Sequence, residues 1–340
     1  MAVKKISPGG VQKFRKSLLG WFAANRRDLP WRRTQDPYRI WVSEIMLQQT
    51  RVVAVLEHYA EFLRRFPTVT VLAAASEADV LAVWSGLGYY RRARMLHRGA
   101  QAVVTDHHAQ LPRTAAELLT LPGIGAYTSA AIASIAFGEA VAAVDGNVER
   151  VIARITGLPV NLAAEIRSAA KLLLDPASPG DFNQAMMELG ATVCLPRNPL
   201  CLECPVASQC LTRGEHPVAR RKPMRSREVA FALVIQRCPP DGTCVLLHQR
   251  PAEDTVMPGM WELPEISAGH RDTRAAEVTV RHAIMQTNYV VRVYAMDCEA
   301  LPKNEPGPRE EQWVVPEELP RLPLTGLARK ILRRVGLIPA

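Results

Sequence analysis

The sequence predicts two regions: a mostly helical N-terminal region, which carries a tight glycine turn and a short cysteine-rich loop, and a smaller α+β C-terminal region. Three observations predict this. Apolar residues recur at three- and four-residue steps as far as about Gly190, four cysteines crowd between Cys194 and Cys210, and short apolar runs with strand character follow. A chain of 340 residues exceeds one average domain and is long enough to bury two cores.

In chain order, Val11–Ala24, Tyr38–Arg51, Ala54–Arg65, Glu77–Ser85, Tyr90–His107 and Ala126–Phe137 carry the helical pattern. Pro30, Pro37, Pro67, Gly86, Pro112 and Pro122 separate them. Ser76 ahead of Glu77–Asp79, and Thr114 ahead of Glu117, read as helix N-caps with acidic first turns. After Cys210 comes a basic, proline-punctuated stretch with Arg213, Arg220, Arg221, Lys222, Arg225 and Arg227, a linker able to lie along a polyanion. Val229–Arg237 and Cys244–Gln249 read as strands joined by the turn Pro239-Pro240-Asp241-Gly242. Val290–Tyr294 and Gln312–Val315 are further strands, and Thr325–Val335 is a closing helix. The expected division is 1–211, a linker over 212–228, and 229–340.

Charge narrows the function classes. A net charge of +9 points to a polyanionic partner such as nucleic acid. No apolar segment follows Lys4 and Lys5, so a secretion signal is not expected. The most apolar window, Ala130–Phe137, falls far short of the ~18 residues a membrane span needs. The expectation is a soluble intracellular protein with no membrane partner.

Two motifs carry chemistry. Leu121-Pro122-Gly123-Ile124-Gly125, followed by the small-residue helix from Ala126, reads as a helix–hairpin–helix. Gly123 and Gly125 let backbone N–H groups approach a phosphate, and the helix N-terminus adds a favourable dipole. Such a grip positions duplex DNA without reading bases, whereas the bland alternative is a helical turn stopped by glycine. Cys194, Cys201, Cys204 and Cys210 form C-x6-C-x2-C-x5-C. Four thiolates at this spacing suit tetrahedral zinc or a [4Fe–4S] cube, and spacing alone does not choose. Cys238, Cys244 and Cys298 lie outside the pattern and read as core residues.

The order of hairpin, Val144-Asp145-Gly146-Asn147-Val148 and tetracysteine loop resembles the helix–hairpin–helix DNA glycosylases. Leu29-Pro30-Trp31-Arg32, Asp36-Pro37-Tyr38, Trp41-Val42-Ser43-Glu44-Ile45-Met46-Leu47-Gln48-Gln49-Thr50 and Gly86-Leu87-Gly88-Tyr89-Tyr90 resemble the MutY adenine glycosylases in particular, over roughly residues 10–211. That resemblance implies that the four cysteines hold [4Fe–4S]. It implies that the substrate is adenine opposite 8-oxoguanine or guanine in double-stranded DNA, and that the protein is a bacterial, cytoplasmic, DNA-associated monomer. Glu44, on an apolar helix, would protonate N7 of the flipped adenine, its pKa raised by its surroundings. Asp145 would steady the oxocarbenium-like sugar, a division of labour like that of glycoside hydrolases. Tyr127 stands where bifunctional relatives carry lysine, and a phenol forms no imine, so monofunctional base removal is expected. Asn147 would orient the reacting groups.

By the same resemblance Arg27, Leu29, Trp31, Val52, Gln184 and Met187 line the adenine pocket. Gln49 and Tyr89 wedge into the base stack, while Thr50 and Leu87 contact the partner guanine. Met257-Pro258-Gly259-Met260-Trp261-Glu262-Leu263-Pro264 resembles the Nudix-like C-terminal domain of the family. Glu265–Arg281 offers Glu265, Asp272 and Glu277 but no hydrolase carboxylate array, so recognition is expected rather than a second catalysis. The family's loop H-x-F-S/T-H becomes His282-Ala283-Ile284-Met285-Gln286: the first histidine remains, the aromatic, hydroxyl and second histidine are replaced, and Gln286 can donate and accept as a neutral histidine does. A weakened preference for 8-oxoguanine over guanine is the expected consequence. The rival readings are an endonuclease III-like lyase, a non-catalytic mismatch sensor and a Nudix-type nucleotide hydrolase.

Overall fold

Side-chain caps and left-handed stops set the helix ends. The computed structural model describes residues 7–214, 223–239, 242–266, 276–284, 286–301 and 310–339. Ser7 caps α1 (Pro8–Asn25), and Asp36 caps α2 (Pro37–Leu47) by accepting from Tyr38 N at 2.9 Å. Next come α3 (Val52–Arg65) and α4 (Val69–Ala74). Ser76 caps α5 (Glu77–Trp84), and α6 spans Arg91–Asp106. Thr114 and Glu117 form the expected capping box on α7 (Ala115–Leu118). α8 (Ala126–Phe137) stops at Gly138, and α9 (Gly146–Thr156) runs from its Asp145 cap to Gly157. Both glycines adopt the left-handed conformation that other residues avoid. α10 (Ala163–Leu173) and α11 (Pro179–Thr192) complete the helical run. The predicted helix Tyr38–Arg51 ends earlier, at Leu47, because the chain turns there and Gln49 takes φ 56°.

The chain divides into two compact units. One holds residues 1–74 and 95–220, the other 75–94 and 221–340. In the first unit, α1, α9, α10 and α11 share a core that includes Phe14, Leu18, Phe22, Ile152, Phe182 and Leu189. Their three- and four-residue spacing puts one stripe of each helix inward, and each fully buried side chain contributes ~1.5–3 kcal/mol. α11 approaches α9 so closely that a Cβ on Gly190 would stand 2.6 Å from Asn147 Cβ.

The second unit contains two sheets. β1 (Arg225–Leu233), β5 (Glu265–Ile266), β6 (Val278–Ile284) and β7 (Thr287–Ala295) form one, in the order β5-β1-β7-β6 with β1 parallel to β7. In the other, β3 (Gly242–Gln249) pairs antiparallel with β2 (Ile235–Cys238), β4 (Trp261–Glu262) and β8 (Glu311–Val314). α12 (Gly326–Arg334), capped by Thr325, buries Leu327, Ile331 and Leu332 in a core with Phe231, Val291, Val293 and Val314.

Several expectations are corrected here. Val229–Arg237 is not one strand: it breaks at Val234 and its halves enter different sheets. His282 and Ala283 lie in β6 rather than in a loop. Cys238 and Cys244 are not lone core residues but a disulfide with Cα atoms 5.9 Å apart, because the β2–β3 register makes them diagonal neighbours. Cys298 is exposed. Pro240, Asp241, Asp272, Met285 and linker residues 215–222 lie outside the described residues. Among the described residues no helix is long and apolar enough to cross a membrane.

The tight α9–α11 approach yields a stability prediction. Gly190→Ala gains ~1 kcal/mol of helix propensity but incurs an overpacking cost of ~1–3 kcal/mol. Thermal unfolding is expected to show a lower midpoint than wild type; an unchanged or higher midpoint refutes the close-packing argument.

Candidate active site

The most buried helix of the first unit, α2, carries a carboxylic acid among apolar neighbours. Glu44 is 6% exposed, flanked by fully buried Val42 and Met46. Burial pushes its pKa up to about 7, the Tyr127 hydrogen bond opposes this, the Asp145 charge adds to it, and Arg32 opposes it. Tyr127, in the first turn of α8, donates its hydroxyl to Glu44 Oε2 at 2.5 Å and also reaches Met187 Sδ at 3.3 Å. Burial and the two nearby carboxylates hold the phenol well above its ordinary value, so it stays a neutral donor.

Asp145 does two jobs with one carboxylate. Oδ1 accepts from Val148 N at 2.8 Å and caps α9, while Oδ2 accepts from Asn147 Nδ2 at 2.9 Å. The chain of contacts continues outward. Arg150 Nη2 donates to Asn147 Oδ1 at 2.9 Å and to Gly190 O at 2.8 Å, and Arg150 Nε donates to Cys194 O at 2.9 Å.

These residues border a cavity of about 670 Å³, within the usual size of a small-molecule site. Arg27, Leu29, Trp31, Glu44, Gln49, Thr50, Val52, Gly125, Tyr127, Asp145, Asn147, Gln184 and Met187 all line it, so the structure brings together most of the sequence-predicted site. Trp31 forms one wall, its ring set edge-on to Tyr59 with centroids 5.3 Å apart. Leu87, Tyr89 and Gln286 belong to the second unit. Leu87 is buried, Tyr89 is half exposed at φ 51°, and Gln286 is exposed at the β6–β7 turn, its carbonyl bonded by Arg225 N. Gln49 and Tyr89 hold left-handed backbones that cost non-glycine residues of order 1–3 kcal/mol, and such strain gathers at functional sites.

Sequence reasoning missed two charged lining residues, Arg32 and Glu188. Glu188 is buried beneath two guanidiniums. Arg27 Nη2 lies 2.6 Å and Arg32 Nη2 2.9 Å from Oε2, and Arg27 Nε donates to Oε1 at 2.8 Å. Burial pushes Glu188 up, but these hydrogen bonds outweigh it and hold the carboxylate at about 2. The signal was present: Gln184, Met187, Glu188 and Ala191 fall at helical steps on one face of α11, and a glutamate in an apolar helix needs a partner.

The hairpin is present between α7 and α8. Gly123 takes φ 80° and a Cβ there would meet Met95 Cβ at 2.6 Å, so both backbone and space exclude other residues. Gly125 caps α8 with open space around it, and the first-turn N–H groups of a helix have no carbonyl one turn behind.

Cys194, Cys201, Cys204 and Cys210 line one further cavity beside Arg154. Among the described residues no three His, Cys, Asp or Glu side chains stand close enough to hold a metal ion. Arg154 Nη1 donates to Cys194 Sγ at 3.3 Å, and Arg154 Nε is buried without a partner. Burial pushes the Cys204 and Cys210 thiols up.

Comparison with known proteins places this geometry. The HhH-GPD superfamily of base excision DNA repair proteins matches residues 42–176. The structure of a thermostable thymine-DNA glycosylase superposes with a TM-score of 0.55 at 32% identity, covering 59% of this chain and 95% of that one. Fold and site therefore define a helix–hairpin–helix base excision repair protein. Human adenine DNA glycosylase is 45% identical over 251 residues, 69% of this chain and 46% of its own length. Adenine DNA glycosylase of Mycobacterium tuberculosis (strain ATCC 25618 / H37Rv) is 40% identical over 218 residues, 62% of this chain and 71% of its own. The chain belongs to the adenine DNA glycosylase family. It spans about half the length of the human relative.

The buried Glu188 group gives a second prediction. Glu188→Ala leaves Arg32 buried without its counter-charge, so urea unfolding is expected to show a loss of about 3 kcal/mol. Arg27→Ala removes a more exposed partner and is expected to cost about 1 kcal/mol. Equal losses, or none for Glu188→Ala, refute this ordering.

Proposed function

We propose that the chain is a monofunctional adenine DNA glycosylase that removes adenine opposite 8-oxoguanine or guanine in double-stranded DNA, acting as a monomer in the cytoplasm. The observation that carries this reading is a buried carboxyl, hydrogen-bonded to a phenol rather than faced by a lysine, in a cavity roomy enough to admit a nucleobase. Protonated Glu44 gives its proton to N7 of the extruded base. The C1′–N9 bond breaks and its electron pair leaves with adenine, so the sugar carries a positive charge. The Asp145 carboxylate, held by Asn147 and the α9 N-terminus, stabilises that cation. Water adds to C1′, its proton returns to Glu44, and an abasic site remains. Tyr127 keeps the Glu44 carboxyl oriented and cannot form an imine.

Trp31, Leu29, Val52 and Met187 supply apolar walls for the purine, and Arg27 and Gln184 supply hydrogen bonds. Gln49 and Tyr89 fill the gap left by the flipped base, Thr50 and Leu87 face the partner guanine, and Gly123 and Gly125 grip a phosphate. Residues 1–211 form the glycosylase domain, 212–228 the linker and 229–340 a Nudix-like recognition domain in which Gln286 reads the opposite base. With the phenyl and hydroxyl of the usual loop replaced, preference for 8-oxoguanine is reduced.

Cys194, Cys201, Cys204 and Cys210 would hold a [4Fe–4S] cluster, which would brace the loop after α11 rather than supply chemistry at the base. Four thiols around one cavity, with Arg154 directed at a sulfur and a spare buried N–H beside it, support this reading.

Four measurements test the proposal. Glu44→Gln is expected to lose at least about a thousandfold in single-turnover adenine release while binding A:G duplex normally, since affinity rests largely on phosphates. Wild-type release is expected to be flat below about pH 7 and to fall about tenfold per unit above it, because the raised Glu44 acid must be protonated. Borohydride is expected to trap no covalent complex; trapping, or adenine left attached in both mispairs, refutes the reading. Protein purified without air is expected to show broad visible absorbance and bound iron, both lost in Cys201→Ser.

A further inference from the structure

The segment from Glu139 to Val144 joins α8 to Asp145 without helix or strand of its own. Its register is set by one buried side chain from another element, Asn183 of α11, which is 2% exposed. Asn183 Oδ1 accepts from Ala143 N at 3.1 Å. Its Nδ2 donates to Val141 O and to Ser134 Oγ, each at 2.8 Å. The Ser134 hydroxyl in turn donates to Ala131 O inside α8 at 3.2 Å. A single amide thus bonds the connecting segment twice and α8 once. Only a side chain with one carbonyl and two N–H donors makes this set; a carboxylate lacks the donors and a hydroxyl lacks the reach.

What this clamp fixes lies next to the chemistry. Ala143, two residues before Asp145, packs fully buried against Ala130 and Ala131, and Tyr127 and Met187 pack on the same cluster. The phenol bound to Glu44 and the approach to Asp145 therefore share one packed base. Asn183 itself does not line the cavity, although its neighbour Gln184 does.

We infer that Asn183 is a positioning residue for base removal, holding the Asp145 carboxylate at its working distance from the Glu44–Tyr127 pair. The inference rests on the proposed function above. A satisfied buried asparagine can also serve stability alone, so the test needs a readout that stability does not move. Two exist. A carboxylate displaced by about 1 Å costs up to about a hundredfold in rate for each correctly folded molecule. The groups facing Glu44 are Tyr127, Asp145 and Arg32, and of these Asp145 holds its proton on. With Asp145 displaced, Glu44 ionises at lower pH and the alkaline fall in rate begins earlier.

The experiment uses the full chain with its cofactor, in single turnover on an A:G duplex, with the amplitude of product formation counting competent molecules. Asn183→Ala is expected to reduce the rate per competent molecule about tenfold to a hundredfold. Its alkaline limb is expected to move to lower pH, with affinity for a duplex carrying non-cleavable 2′-fluoroadenosine unchanged. Should that variant not fold, Asn183→Asp keeps the acceptor for Ala143 N and removes both donors, and the same loss per competent molecule is expected. A rate per competent molecule within about twofold of wild type, in whichever variant folds, overturns the inference even if the melting temperature falls. Wild-type protein that releases no adenine overturns the functional reading itself; wild-type release with an unaltered variant rate overturns only the role of Asn183.

Discussion

A carboxyl group removed from water resists ionisation unless something replaces its hydration, and the first unit is organised around that constraint at Glu44. α2 is buried along most of its length, so the acid has nowhere to reach solvent except through the cavity. Desolvation raises its pKa, and the Tyr127 hydroxyl supplies one strong hydrogen bond without supplying a charge. Had a cationic side chain stood there, the carboxylate would be the stable form and no proton would be held near neutrality. The proposed acid and the absence of an amine at Tyr127 are thus two sides of one electrostatic arrangement.

The second carboxylate is held differently. Asp145 accepts from Val148 N as a helix cap and from Asn147 Nδ2, so its position follows from the start of α9 rather than from its own rotamer freedom. Arg150 extends the same set of contacts to the Gly190 and Cys194 carbonyls, tying the start of α9 to the end of α11 and to the cysteine-rich loop. Glu188 on α11 is the counter-example in the same cavity: equally buried, it is paired with Arg27 and Arg32 and stays ionised. Two buried carboxylates in one cavity therefore differ: burial raises the Glu44 pKa, whereas two guanidiniums keep Glu188 ionised.

In the second unit, the half-exposed Tyr89 stands on a left-handed backbone, and the Arg92 guanidinium stacks against both its ring and that of Trp84, at 5.4 Å from each centroid. Arg92 Nη2 also donates to the Leu87 and Gly88 carbonyls. An exposed aromatic on a braced, strained turn is a rigid projection, which suits the wedge role proposed for it.

The sequence by itself determined the helix caps at Ser76 and Thr114, the hairpin glycines, the α+β character of the C-terminal region and most of the cavity lining. Each of these depends on local rules: capping chemistry, backbone freedom, periodicity, or a motif whose members lie close in the chain. Tertiary structure decided what depends on distant partners. Glu188 becomes a site residue only because Arg27 and Arg32 fold over it from 156 and more positions away. Cys238 and Cys244 pair because a strand register sets them diagonally, and Val229–Arg237 splits because two sheets compete for it. Asn183 reads in the sequence as one polar residue in a helix, and its meaning comes from a loop that only packing brings beside it. Burial and pairing are properties of neighbours in space, and helical spacing identifies the inward face of an element without identifying what it meets there.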